Sequence, residues 1–68
     1  MSDSFILNGK EITYSTASTI GQLLCEKEIN PSHVVIEVNR AILDRDLFDT
    51  TPIQTGDVIE VLRFVGGG

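Results

Sequence analysis
The apolar run Val58 to Val65 stands at the far end of the chain and is followed by Gly66-Gly67-Gly68. A strand in that position must take its partners from upstream segments. A connection that contains a helix can carry it across a sheet to lie in parallel beside the first strand. Period-two alternation divides the run into two sets, with Ile59, Val61, Arg63 and Val65 on one side and Val58, Glu60, Leu62 and Phe64 on the other. Ile59 and Val61 are the natural core pair, because the opposite set holds Glu60, a charge that should not be buried without a partner.

The upstream segments supply the rest of a small sheet. Phe5-Ile6-Leu7 is joined to Lys10–Tyr14 by Asn8-Gly9. That dipeptide between apolar segments is a strong hairpin signal, since a type I′ turn needs positive φ at both central residues. Alternation puts Phe5, Leu7, Ile12 and Tyr14 inward and Ile6 outward. After the polar stretch Ser15–Ser18, Thr19 is a helix N-cap and Gln22 stands at capping-box spacing. Ile20, Leu23 and Leu24 form one apolar stripe. Asn30-Pro31 is expected to stop the helix, giving about ten residues and roughly 15 Å of length.

Val34 to Asn39 reads as a strand with Val34, Ile36 and Val38 on one side. Asn39-Arg40 begins a turn. Ala41 to Thr51 reads as irregular, with Ile42, Leu43, Leu47 and Phe48 available to plug the core, and Pro52 makes a central strand there unlikely. Thr55-Gly56-Asp57 is a tight turn. The predicted class is α+β, a small mixed sheet with one helix packed on one face, in one domain spanning residues 1–68 with a flexible glycine tail at 66–68. At 68 residues the core is small, for such a chain buries only about 60% of its unfolded surface. Hydrophobic residues at 41% still mark a folded protein.

If the helix covers one face and Ile59 and Val61 point toward it, Leu62 and Phe64 are left exposed beside the glycines. Exposed apolar patches on small domains often mark interfaces. Ten acidic against five basic residues give a formal charge of −5, which disfavours nucleic acid and suits either solubility or a basic docking partner. Other chemistry is sparse. His33 is the sole histidine and has no ligand cluster at metal spacing. Cys25, the sole cysteine, reads as a small apolar helix residue, and its lack of a disulfide partner fits a reducing compartment. No basic leader segment or long apolar stretch is visible, so a cytoplasmic location is expected. No nucleophile–base set, phosphate loop or metal motif appears, so the chain does not read as an enzyme.

Several short motifs, taken in order, now carry a family signature: Leu7-Asn8-Gly9, Thr19-Ile20 with Leu23-Leu24, Val38-Asn39-Arg40, Gly56-Asp57-Val58-Ile59-Glu60-Val61 and Val65-Gly66-Gly67-Gly68. Over nearly its whole length the chain resembles the ubiquitin-like ThiS/MoaD sulfur carriers, and among them the thiamine branch. The resemblance implies a β-grasp fold and a function seated on the terminal carboxylate. An E1-like adenylyltransferase of the ThiF or MoeB type, using ATP and magnesium, would adenylate Gly68. A sulfur donor such as a cysteine desulfurase would convert the adenylate to a thiocarboxylate, and a thiazole synthase of the ThiG type would take the sulfur. On this reading Gly67 completes the diglycine, Gly66 and Gly67 enter the partner, and Leu62 and Phe64 lie on the docking face. The chain itself holds no cofactor. The alternatives are a molybdopterin-synthase small subunit, a ubiquitin-like modifier conjugated to lysines, or a plain β-grasp interaction module.

Overall fold
The computed structural model describes residues 4–13 and 17–64. Five strands form one sheet: β1 (Phe5–Leu7), β2 (Lys10–Ile12), β3 (Val34–Val38), β4 (Ala41–Leu43) and β5 (Val58–Arg63), with helix α1 (Ile20–Glu26) between β2 and β3. The spatial order is β2-β1-β5-β3-β4. The last strand is therefore the central one, parallel to β1 and antiparallel to β3. This is the mixed sheet expected from the position of the Val58–Val65 run, and the β-grasp arrangement. The expectations for Tyr14, Ser15, Val65 and Gly66–Gly68 fall outside the described residues.

Both hairpins turn through two residues of positive φ, Asn8 (52°) with Gly9 (81°) and Asn39 (53°) with Arg40 (72°). That pattern matches the right-handed twist of the strands. It also explains a missed strand. Ala41–Leu43, read from sequence as irregular, pairs with β3 in the register Ile36↔Leu43, Glu37↔Ile42 and Val38↔Ala41.

The first N–H groups of the helix find partners outside its own ladder. Ile20 N–H donates to the Thr51 carbonyl at 3.0 Å, Gly21 N–H to Phe48 at 2.8 Å and Leu23 N–H to Thr19 at 3.0 Å. Gln22 N–H donates to Thr19 Oγ1 at 3.2 Å. Ile20, Gly21 and Gln22 are the first three helical residues, whose N–H groups have no partner within a helix, and the Leu23 bond is the first of the helix's own. The Gln22 side chain reaches back one residue further than a capping box requires, accepting from Ser18 N–H at 2.8 Å. The helix is shorter than expected because it stops before Asn30-Pro31. Glu28 adopts a left-handed φ of 57°, Glu28 N–H donates to Cys25 at 3.1 Å, and Ile29 N–H donates to Leu24 at 2.9 Å. This is a Schellman motif, and Ile29 packs against the core behind it. Asn30 instead caps a 3-10 turn, Pro31–His33, accepting from Ser32 N–H at 2.9 Å.

The core lies between α1 and one face of the sheet. Ile20, Leu23 and Leu24 of the helix meet Phe5, Val34, Ile36 and Ile59 of the strands, and Phe48 closes one end. Each such burial stabilises by about 1.5–3 kcal/mol. Of the four candidate plugs, Phe48 is buried and Leu43 packs against the core, but Ile42 and Leu47 are exposed. The pleat of the unforeseen β4 turns Ile42 away from α1, and Leu47 sits in an exposed 3-10 turn, Arg45–Leu47.

One polar group is buried among the described residues. Asp57 accepts from Asn39 Nδ2 at 3.0 Å and from Gln54 N–H at 2.8 Å, while Asn39 Oδ1 accepts from Val58 N–H at 2.9 Å. Asn39 thus joins the second hairpin turn to the start of β5. Asn39→Ala removes two hydrogen bonds and forces alanine into a left-handed φ, so a loss of about 2–3 kcal/mol is expected in urea unfolding. A loss below about 0.5 kcal/mol, the level of an ordinary surface change, would show that this junction is not structural.

Candidate functional site
Because α1 covers one face, strand alternation leaves the other face bare. On β5 the bare set is Val58, Glu60 and Leu62, as the sequence predicted. The register completes it: Val58 lies beside Ile6 of β1, Leu62 opposite Val35 and Glu60 opposite Glu37 of β3, and Ile42 of β4 beside Glu37. Ile42 (72% exposed), Leu62 (46%) and Val58 (41%) are the exposed large apolar residues of this face, set around the Glu37–Glu60 pair. Leu62 is where the sequence placed it. Ile42 and the Glu37–Glu60 pairing were missed. The signal for Ile42 was the Asn39-Arg40 turn, which returns the next residues as a strand. Nothing in the sequence signals the Glu37–Glu60 register, because it depends on which residues the two distant strands align.

Phe64 lies one residue past β5. Its N–H donates to the His33 carbonyl at 3.2 Å, extending the β3–β5 ladder. Its side chain is about half exposed, at 45%. It lines a shallow cleft with Glu28, Ile29, Asn30, His33 and Arg63 at the end of the sheet. Leu62 and Phe64 are thus both exposed near the end of the sheet, Leu62 on the open face and Phe64 on the cleft. The other three predicted site residues, Gly66, Gly67 and Gly68, lie outside the described residues.

Elsewhere the surface offers little chemistry. Cys25, read from sequence as a small apolar residue, is exposed and borders a shallow depression with Ala17, Gln22 and Glu26. The stripe Ile20, Leu23, Leu24 faces the sheet, so the helical rotation of Cys25 turns it to solvent. No group of three or more His, Cys, Asp or Glu among the described residues could hold a metal ion. No described helix is long and apolar enough to cross a membrane.

A helix clasped by a five-stranded mixed sheet, with the other face of the sheet open, defines a ubiquitin-like β-grasp domain. The family model described as "ThiS family" matches residues 5–68. Sulfur carrier protein ThiS of Bacillus subtilis is 33% identical over 63 residues, covering 91% of this chain and 96% of that protein. A crystal structure of the thiamine biosynthesis protein ThiS from Geobacter metallireducens superposes with a TM-score of 0.78 at 34% identity, over 96% of this chain and 99% of that one. A thiazole synthase of Paramagnetospirillum magneticum is 30% identical over 63 residues, but the chain spans only 19% of that protein's length. The chain belongs to the ThiS family, the small sulfur carriers of thiamine biosynthesis.

The two faces of β5 differ in what a truncation should cost. Ile59 is fully buried and Leu62 is not. Ile59→Ala is expected to cost about 2–5 kcal/mol and Leu62→Ala under about 1 kcal/mol, measured by urea unfolding. Equal losses would mean that Leu62 belongs to the core and is unavailable to a partner.

Proposed function
We propose that this chain carries sulfur on the carboxylate of Gly68 and delivers it to a thiazole synthase. The observation that carries the reading is the ThiS-family match, which runs from Phe5 through the glycines to residue 68. The chain acts as a protein cosubstrate, and its partners supply the catalysis.

A carboxylate is a poor electrophile, so sulfur cannot replace its oxygen directly. Attack of the Gly68 carboxylate on the α-phosphorus of ATP, with pyrophosphate leaving, yields an acyl-adenylate. The E1-like adenylyltransferase supplies that step together with the magnesium ion. The outer sulfur of a persulfide on a donor of the cysteine-desulfurase kind then attacks the acyl carbon, so that AMP leaves and an acyl persulfide forms, and a thiol attacks the donor-side sulfur, leaving a disulfide and releasing the thiocarboxylate. Glycine suits this end because a backbone without Cβ enters a narrow channel and adopts conformations closed to other residues. It also has no α-stereocentre to lose on activation. Gly66 and Gly67 offer a partner almost nothing to recognise, so recognition falls to the folded face that ends in Leu62 and Phe64.

The thiazole synthase as acceptor is supported by the relative that bears that name. A stretch like this chain makes up 19% of it. Two modules joined in one chain meet at high effective concentration, an arrangement that suits parts of one reaction.

Intact-mass spectrometry tests the reading after incubation with the adenylyltransferase, ATP and a sulfur source. An oxygen-to-sulfur mass increase located at Gly68 is expected, and an isopeptide-linked adduct instead would identify a modifier. Deleting Gly67 and Gly68 should leave thermal unfolding unchanged and abolish the increase, so sulfur transfer by the truncated chain would refute the proposal. Phe64→Ala is expected to slow activation more than it lowers stability. A parallel loss of both would place Phe64 in the structural framework.

A further inference from the structure
The open face holds an arrangement that neither the fold nor the sulfur chemistry calls for. Strands β3 and β5 pair so that Glu37 lies directly opposite Glu60. In such a pair the Cβ atoms are about 4.5–5.5 Å apart, and like charges there are destabilising. Among the described residues neither carboxylate has a hydrogen-bond or ion-pair partner.

Relief from within the chain is not at hand. None of the five Lys and Arg residues occupies an open-face strand position. Lys10 and Arg63 stand opposite Leu7 and Val34, in the set that faces the helix. Lys27 caps the helix, Arg40 lies in a hairpin turn and Arg45 in a 3-10 turn.

The surroundings of the pair are apolar. Val35 and Leu62 form the next rung, Val58 follows on the other side of Glu60, and Ile42 lies beside Glu37. Water screens the two carboxylates while the face is bare. A partner that covers Val35, Ile42, Val58 and Leu62 expels that water. An uncharged apolar partner would bury two unpaired like charges, which is strongly unfavourable. A partner that brings a cation to the pair turns the repulsion into attraction. The face therefore discriminates between apolar surfaces by what lies at their centre.

We infer that the open face docks a protein surface that seats one arginine or lysine between Glu37 and Glu60 and packs apolar side chains on Val35, Ile42, Val58 and Leu62, and that the thiazole synthase is this partner. Arginine fits best, since its planar fork of five N–H donors can serve two carboxylates at once. The formal charge of −5 adds long-range attraction toward a basic surface. The choice of thiazole synthase rests on the sulfur-carrier reading and on the shared chain of the relative that bears that name.

The test uses purified thiazole synthase and the full chain. Binding is measured by calorimetry at low and high salt for the parent and for Glu37→Gln, Glu60→Gln and the double variant. Thermal unfolding of each free protein is recorded alongside. Glutamine keeps the size and removes the charge. Each variant is expected to melt no lower than the parent, since a repulsion is removed. Each should nevertheless bind about tenfold more weakly at low salt and lose part of the salt dependence. Asp46→Asn removes the same charge from the Arg45–Leu47 turn and should change binding less than about twofold.

Variants that bind as tightly as the parent would overturn the inference. So would affinity that falls only in step with stability, or a parent chain that does not bind the synthase. The sulfur-carrier reading fails separately. Charge-sensitive binding without a thiocarboxylate at Gly68 keeps the docking surface and removes the carrier. A thiocarboxylate with charge-insensitive binding does the reverse.

Discussion
The pairing of β5 into the middle of the sheet is the constraint on which the rest of the structure depends. It brings the last strand between β1 and β3, so the two hairpins become one sheet only when β5 is in place. The hairpin turns are fitted to this. Asn8 Oδ1 accepts from Val61 N–H at 2.8 Å across 53 positions in sequence, and Asn39 Oδ1 accepts from Val58 N–H at 2.9 Å. Strand β1 ends at Leu7 and β3 at Val38, so these two side chains satisfy central-strand donors that their own strands are too short to reach. The contacts are non-local, and non-local pairing must repay the entropy of closing the long loop before it stabilises anything.

The same strand then has two different duties. Its inward residues, Ile59 and Val61, face the helix, while Val58, Glu60 and Leu62 are left to solvent. A strand with one apolar face alone would be simpler to keep soluble. This one carries apolar residues on both, and it sets a glutamate among them against a second glutamate. The arrangement costs some stability in the free protein and makes sense where the face is to be covered by something of the opposite charge.

Much of this was legible in the chain because the signals were local. The Asn8-Gly9 turn, the Thr19 cap and the stripe Ile20, Leu23, Leu24 are each decided by neighbours within one turn. The alternation in Val58–Leu62 assigned both faces of the central strand. The misreadings have local causes too. Asn39-Arg40 is a less obvious two-residue turn than Asn-Gly, since arginine rarely adopts a positive φ, so Ala41–Leu43 reads as irregular and Ile42 as available to the core. Proline at Asn30-Pro31 is a visible helix stop in sequence, whereas a left-handed Glu28 is not.

The sequence by itself determined the elements, the composition of each face and the glycine ending, because those follow from residue-by-residue conformational preference and from period two and period 3.6. Only the tertiary structure decided the registers between β5 and its neighbours. Register depends on where chains more than twenty residues apart stop against each other, as Glu37 does against Glu60, and no local preference encodes that. The open face is thus a property of the assembled sheet. It joins Ile6, Val35, Ile42, Val58 and Leu62 from four strands around one acidic pair.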